Sequence, residues 1–212
     1  MTATPIIPGA GCSHRLIDEF IRQRCASDML KLRVFPNAKE ITESMAAYAA
    51  VRELANRGVL PFNLSTHGVA LLAVGDGHTP RTGALFAFRS AWDCYSVDPA
   101  LARRAHEFAA VRRLICLPGK VENMEPIACE HAVVAAVHSH AQLADAVRIM
   151  RPASGKVTVV AMPCCVPQWL PEQPNAEYQD LGIWSAERTV RVWHGVEARA
   201  CNRSSTTETR SG

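Results

Sequence analysis

No uninterrupted apolar stretch in this sequence approaches the ~20 residues that a membrane-spanning helix needs. Residues 1–11 also lack the basic flank and apolar core of an export signal, so the expectation is a soluble, cytoplasmic chain with no membrane partner. Charge of one sign is equally scarce. With 23 basic and 20 acidic side chains the formal net charge is +3, and no strong field draws the chain to nucleic acid or an anionic surface. The eight cysteines do not group at finger-like spacings but lie scattered through apolar segments, the usage of reduced core thiols in a reducing compartment. Internal repeats are missing too, which excludes a solenoid.

What is present is a core. Hydrophobic residues make up 48% of the 212 positions, enough for one sizeable domain. Residues 1–36 read as an accessory arm, whose stretch 15–24 could set Leu16, Phe20 and Ile21 on one helical face. Residues 37–201 read as the main domain, and the tail 202–212, with no apolar residue, cannot bury enough surface to fold and is expected to be disordered.

The main domain opens on a helix signal. Asn37 is a cap with Glu40 three residues on, as in a capping box; Ile41, Met45, Tyr48, Val51 and Leu54 recur at helical spacing, and Gly58 is a stop. Apolar runs then fall at 69–74, 94–97, 114–117, 132–137 and 157–162, with helical segments at 84–88, 101–111 and 142–150. That alternation predicts an α/β domain, a parallel sheet covered on both faces. Runs at 181–184 and 189–193, four residues apart, predict an antiparallel hairpin at the sheet edge.

The sharpest local feature is the run Val69-Ala-Leu-Leu-Ala-Val-Gly-Asp-Gly-His-Thr-Pro-Arg-Thr-Gly83, an apolar strand entering two glycines and a helix start. Glycine belongs where a ligand crosses a strand end, because a Cβ would block its approach and the turn can require positive φ. Pro80 suits a first helical turn. At the end of the following strand stands Asp98, a carboxylate able to accept both hydroxyls of a ribose, at the spacing one strand-helix-strand unit gives. The plain structural alternative is a tight turn with Asp98 capping the next helix.

Gly75, Gly77 and Asp98 resemble the first motif and ribose acid of the class I S-adenosylmethionine-dependent methyltransferases, over residues 37–196. The likeness implies a Rossmann-like, mostly parallel sheet with a C-terminal antiparallel hairpin, S-adenosylmethionine as cofactor, and methyl transfer as the activity. The sequence departs from the pattern at Ala73, where the leading acid is expected, and at Thr79, where the last glycine is. Asp76, inside the turn, is a candidate to contact the ligand's amino-acid portion in place of that acid. The likeness also puts Val121 against the adenine, with Glu122 or Asn123 near its exocyclic amine, and His138 and His140 where methyl donor or acceptor would lie, as candidates to take a proton or orient a nucleophile.

Other readings stay open. A dinucleotide would need a third glycine where Thr79 stands, yet Arg81 could pair with a phosphate. Cys164 and Cys165 with the two histidines could in principle hold zinc, but adjacent cysteines chelate poorly, and a proline-bounded turn without metal is expected. No Asn-Pro-Pro-aromatic or Asp-Pro-Pro-aromatic tetrapeptide follows the 132–137 run, and Arg103, Arg104, Arg112 and Arg113 read as a solvated face. The acceptor is therefore undefined among RNA, protein and small molecules, as is the oligomeric state. A non-catalytic, methyltransferase-like binding or structural module is the alternative to an enzyme.

Overall fold

The computed structural model describes residues 13–164 and 170–198. The expected disorder of the tail, and Cys165, lie outside the described residues. The helices are α1 (Arg15–Ile21), α2 (Ala26–Lys31), α3 (Ala38–Asn56), α4 (Arg81–Arg89) and α5 (Leu143–Ile149). The strands are β1 (Val69–Val74), β2 (Asp93–Val97), β3 (Leu114–Leu117), β4 (Ile127–Cys129), β5 (His131–Val137), β6 (Met150–Pro152), β7 (Lys156–Met162), β8 (Ala176–Gln179) and β9 (Thr189–Glu197).

Seven strands form one sheet in the order β3-β2-β1-β5-β7-β9-β8, and β4 pairs with β6 in a small parallel sheet apart from it. The first five are mutually parallel; β9 runs antiparallel to both β7 and β8. Alternation along the strands divides the core in two. Val133, Ala135 and Val137 of β5 join α1 to α4 on one face, while Ala132, Val134 and Ala136 join α5 on the other. The described part of the N-terminal segment shares the first of these cores through Leu16, Phe20 and Met29.

Helix α3 starts as its cap predicts, with the Asn37 carboxamide oxygen accepting from the Glu40 N–H at 3.1 Å. The reciprocal half of the box is absent, because the Glu40 carboxylate turns to Arg81.

Three local expectations are corrected. Residues 181–184 are not a strand: Asp180 accepts the Gly182 and Ile183 N–H groups, folding them into a turn that buries Ile183. The hairpin's first strand is instead β8, whose four residues are all exposed and so carry no alternating apolar pattern. Residues 101–111 form two 3₁₀ turns, Pro99–Arg103 and Ala105–Phe108, rather than one helix, because Arg104 at φ −128° breaks the run. Ile21 is 65% exposed and leaves Leu16 and Phe20 to anchor α1.

Candidate functional site

Strand order reverses between β1 and β5, so the crevice outside the carboxyl ends of these strands is where a ligand fits an open sheet. The turn after β1 borders it. Gly75 and Gly77 take left-handed φ values of +74° and +78°. At Gly75 a Cβ would stand 2.3 Å from Ser139 Oγ and 2.8 Å from Ser139 Cα, so the turn and the loop after β5 meet at backbone distance. At Gly77 only the flexible end of Arg81 comes within 3.2 Å, and conformation alone asks for glycine.

Asp76 is brought beneath the turn rather than into the crevice. Its carboxylate, 4% exposed as a residue, accepts from the Thr82 and Gly83 N–H groups at 3.0 Å each and from Ser96 Oγ at 2.7 Å. Burial raises its carboxyl, opposed by these same donors. The two N–H groups are orphan donors of the α4 N-terminus, the groups a pyrophosphate would use. Asp76 occupies them, so a ligand contact by this side chain gives way to an internal one. Arg81 is likewise committed: it donates to the Asp76 carbonyl at 2.7 Å and to the Glu40 carboxylate. Thr79 gives its hydroxyl to the Val34 carbonyl at 2.6 Å. Arg81 and two N–H groups of the α4 N-terminus, which would favour a phosphate, are thus spent inside the protein.

Asp98 ties two elements together. One carboxylate oxygen accepts from Gly77 N–H at 2.9 Å and the other from Ala100 N–H at 2.7 Å. Each carboxylate oxygen has a further lone pair, so capping the 3₁₀ turn leaves acceptor capacity toward the crevice. There Gly75, Asp98, Gly119, Val121, Glu122 and His140 line a cleft of about 260 Å³. Asn123, the alternative to Glu122, faces a different cavity with Tyr95 and Met124.

His138 is not part of that lining. Its φ of +50° is unusual for a residue with a Cβ, and it turns the ring toward α3. There Nε2 lies 3.1 Å from Glu43 Oε1 and 3.4 Å from Ser185 Oγ. The Glu43 side chain is 1% exposed and also takes Lys39 Nζ at 2.9 Å. Burial would raise the Glu43 carboxyl, but the hydrogen bonds and charges of His138 and Lys39 outweigh it and hold the group below the usual carboxylate range. Sequence reasoning missed Glu43. The available signal was that it is the only charge between Glu40 and Arg52, on a helix that is otherwise apolar or small over that stretch.

The thiols are placed for structure. Burial raises Cys94, and pushes Cys116 and Cys129 up to about 11, so none of these three is a thiolate at neutral pH. Among the described residues no three His, Cys, Asp or Glu side chains converge on a metal position. The arginine cluster is dispersed: Arg104 pairs with Glu107, and Arg113 donates to the Ser90 carbonyl at 2.7 Å. No described helix is long and apolar enough to cross a membrane.

Among solved structures, a point mutant of MtNAS in complex with S-adenosylmethionine is similar to this chain at 14% identity and a TM-score of 0.50, with 85% of this chain and 70% of that one covered. The chain has the class I methyltransferase fold. Further likenesses are to Burkholderia thailandensis 1,6-didemethyltoxoflavin-N1-methyltransferase with bound S-adenosylhomocysteine (14% identity, 92% and 94% covered, TM-score 0.47) and to magnesium protoporphyrin IX methyltransferase from Synechocystis PCC 6803 with bound SAM (12%, 91% and 97%, 0.46). No protein-family model matches the sequence, and no curated protein matches it significantly.

Proposed function

We propose that the cleft beside the Gly75–Gly77 turn binds the adenosine portion of S-adenosylmethionine and that the protein is a methyltransferase. The observation that carries this reading is the meeting of Gly75, Asp98, Val121 and Glu122 around one cleft at the strand-order reversal. The class I methyltransferase fold supports it. The residues fit the group: the turn takes the close approach that only glycine permits, Asp98 presents lone pairs for ribose hydroxyls, and Val121 offers an apolar contact to a purine. A bound S-adenosylmethionine would supply a methyl group made electrophilic by its sulfonium. The protein's own part is then alignment and exclusion of water, which needs few reactive side chains. His140 borders the cleft, a position from which a side chain can orient an acceptor.

Labelled S-adenosylmethionine, incubated with RNA, protein and small-molecule pools, tests the activity. Transfer of label to one pool, reduced about tenfold or more by Asp98→Ala at subsaturating cofactor, is the expected result. Cofactor binding without transfer to any pool favours the non-catalytic module instead.

A further inference from the structure

Residues 15–35 and 99–113 carry nine basic and four acidic side chains, while the rest of the chain carries 14 and 16, so the small net charge of the whole hides a cationic part. Seven arginines are exposed among the described residues. Arg15 and Arg57 pair with acids; the side chains of Arg22, Arg24, Arg33, Arg103 and Arg112 make no ion pair or hydrogen bond there, and all five lie in these two segments. The fold sets the segments side by side. Phe20 meets Phe35 edge to face with ring centroids 5.4 Å apart, which brings the end of α1 to the loop after α2. Arg33 of that loop is near enough to act on Glu107, whose carboxyl is lowered chiefly by Arg104. At the far end of α4, Arg89 faces Cys25, and Arg113 donates to the Ala87 and Ser90 carbonyls at 3.3 and 2.7 Å. Leu16, Phe20, Ala26 and Met29 point into the core, so the opposite faces of α1 and α2 form an outer layer. That layer holds two of the three most exposed large hydrophobic side chains, Ile21 at 65% and Leu30 at 52%, next in sequence to Arg22 and Lys31.

We infer that this outer layer docks on an anionic lipid surface, with Ile21 and Leu30 entering the boundary of headgroups and acyl chains and the free arginines meeting lipid phosphates and carboxylates. Exposed aliphatics among cations are what an interfacial helix presents. The guanidinium suits the anion, because its planar fork gives paired hydrogen bonds to phosphate or carboxylate and sheds water more readily than an ammonium. A single-stranded RNA fits less well, since such a surface stacks bases on exposed aromatic rings. Here the phenylalanines of the two segments, Phe20, Phe35 and Phe108, are all buried, and the exposed apolar groups have no flat face. Balanced charge over the whole chain gave no reason to expect a membrane surface, because it averages over this asymmetry. The inference does not depend on the methyltransferase reading.

The full chain is mixed with extruded vesicles of phosphatidylcholine alone, or of equal parts phosphatidylcholine and phosphatidylserine, and the fraction that sediments with lipid is measured across ionic strength. Partitioning onto the mixed vesicles should exceed that onto neutral ones about tenfold or more at low salt, and fall as salt screens the arginines. Arg33→Ala and Arg103→Ala should each weaken binding about fivefold, the worth of ~1 kcal/mol per arginine at an anionic surface. Ile21→Ser combined with Leu30→Ser should weaken it about tenfold or more, by a factor that salt leaves unchanged. These side chains are exposed, so thermal unfolding should match wild type in every variant. Lys156→Ala, whose cation pairs with Glu197 outside both segments, should stay within about twofold of wild type. Equal partitioning onto the two vesicles, no partitioning at all, or arginine and aliphatic variants that bind as wild type overturn the proposal. So does a Lys156→Ala loss as large as that of Arg33→Ala. A gel shift with single-stranded RNA, in a protein that ignores both vesicles, overturns it in favour of a nucleic-acid surface.

Discussion

Asp98 serves the fold and the cleft with the same carboxylate, so its removal has two separable consequences. Asp98→Ala frees the Gly77 and Ala100 N–H groups and should cost about 0.5–2 kcal/mol of stability, the range for a lost cap. It should also weaken S-adenosylmethionine binding at least tenfold, since charge-assisted hydrogen bonds are worth ~1.5–3 kcal/mol and ~1.4 kcal/mol is a factor of ten. Thermal unfolding and calorimetry on the one variant read both. Wild-type affinity in a destabilised protein would leave Asp98 a cap alone. The two glycines differ in the same way. Gly77→Ala should cost about 1–2 kcal/mol, the strain of a left-handed residue with a Cβ. Gly75→Ala adds a clash with the Ser139 backbone and should cost more, displace the loop after β5 and reduce affinity; equal denaturant midpoints for the two would contradict that account.

Helix α3 is the element through which the Gly75–Gly77 turn is linked to His138. Its N-terminal turn places Lys39, Glu40 and Glu43 so that Arg81, Glu40, Lys39, Glu43 and His138 form a continuous polar chain from the Gly75 carbonyl to Ser185. Asn37→Ala removes the side-chain cap of that turn and should lower stability by about 1 kcal/mol, measured as a shift of the denaturant midpoint at unchanged slope. The apolar periodicity of α3 and the runs at β1, β5 and β7 were legible because burial on a helix face or on both sheet faces writes itself into residue type. Strand β8 was not, since an exposed edge buries nothing, and the hairpin was placed on 181–184, whose apolar residues serve a turn. That Gly75 and Asp98 would border one cleft was legible because a turn and a strand end are local features. The internal hydrogen bonds of Asp76 were not legible, because its sequence position is the same whether its carboxylate turns outward or under the helix. Glu43 was invisible as a partner of His138, because nothing in the chain tells which side chains 95 positions apart will touch.

For the molecule as a whole, the buried carboxylate of Glu43 couples folding to pH. Its folded-state carboxyl lies below the ordinary value, so its contribution is fully present above the usual carboxylate range and is lost as pH falls through the lowered folded value. Denaturant unfolding followed from neutral to strongly acid pH should show an acid limb that is shallower in Glu43→Gln; identical limbs would contradict an ionised Glu43. The larger claim concerns the ligand. With the α4 N-terminus filled by Asp76, and Arg81 committed to Glu40, the proposed adenosine cleft has no pyrophosphate site beside it. Calorimetric titration of the wild-type protein with S-adenosylmethionine, S-adenosylhomocysteine and NAD tests this most directly. The account predicts saturable binding of both sulfur ligands and NAD binding weaker by at least about tenfold, a difference of ~1.4 kcal/mol; tight NAD binding with no heat from either sulfur ligand would contradict it.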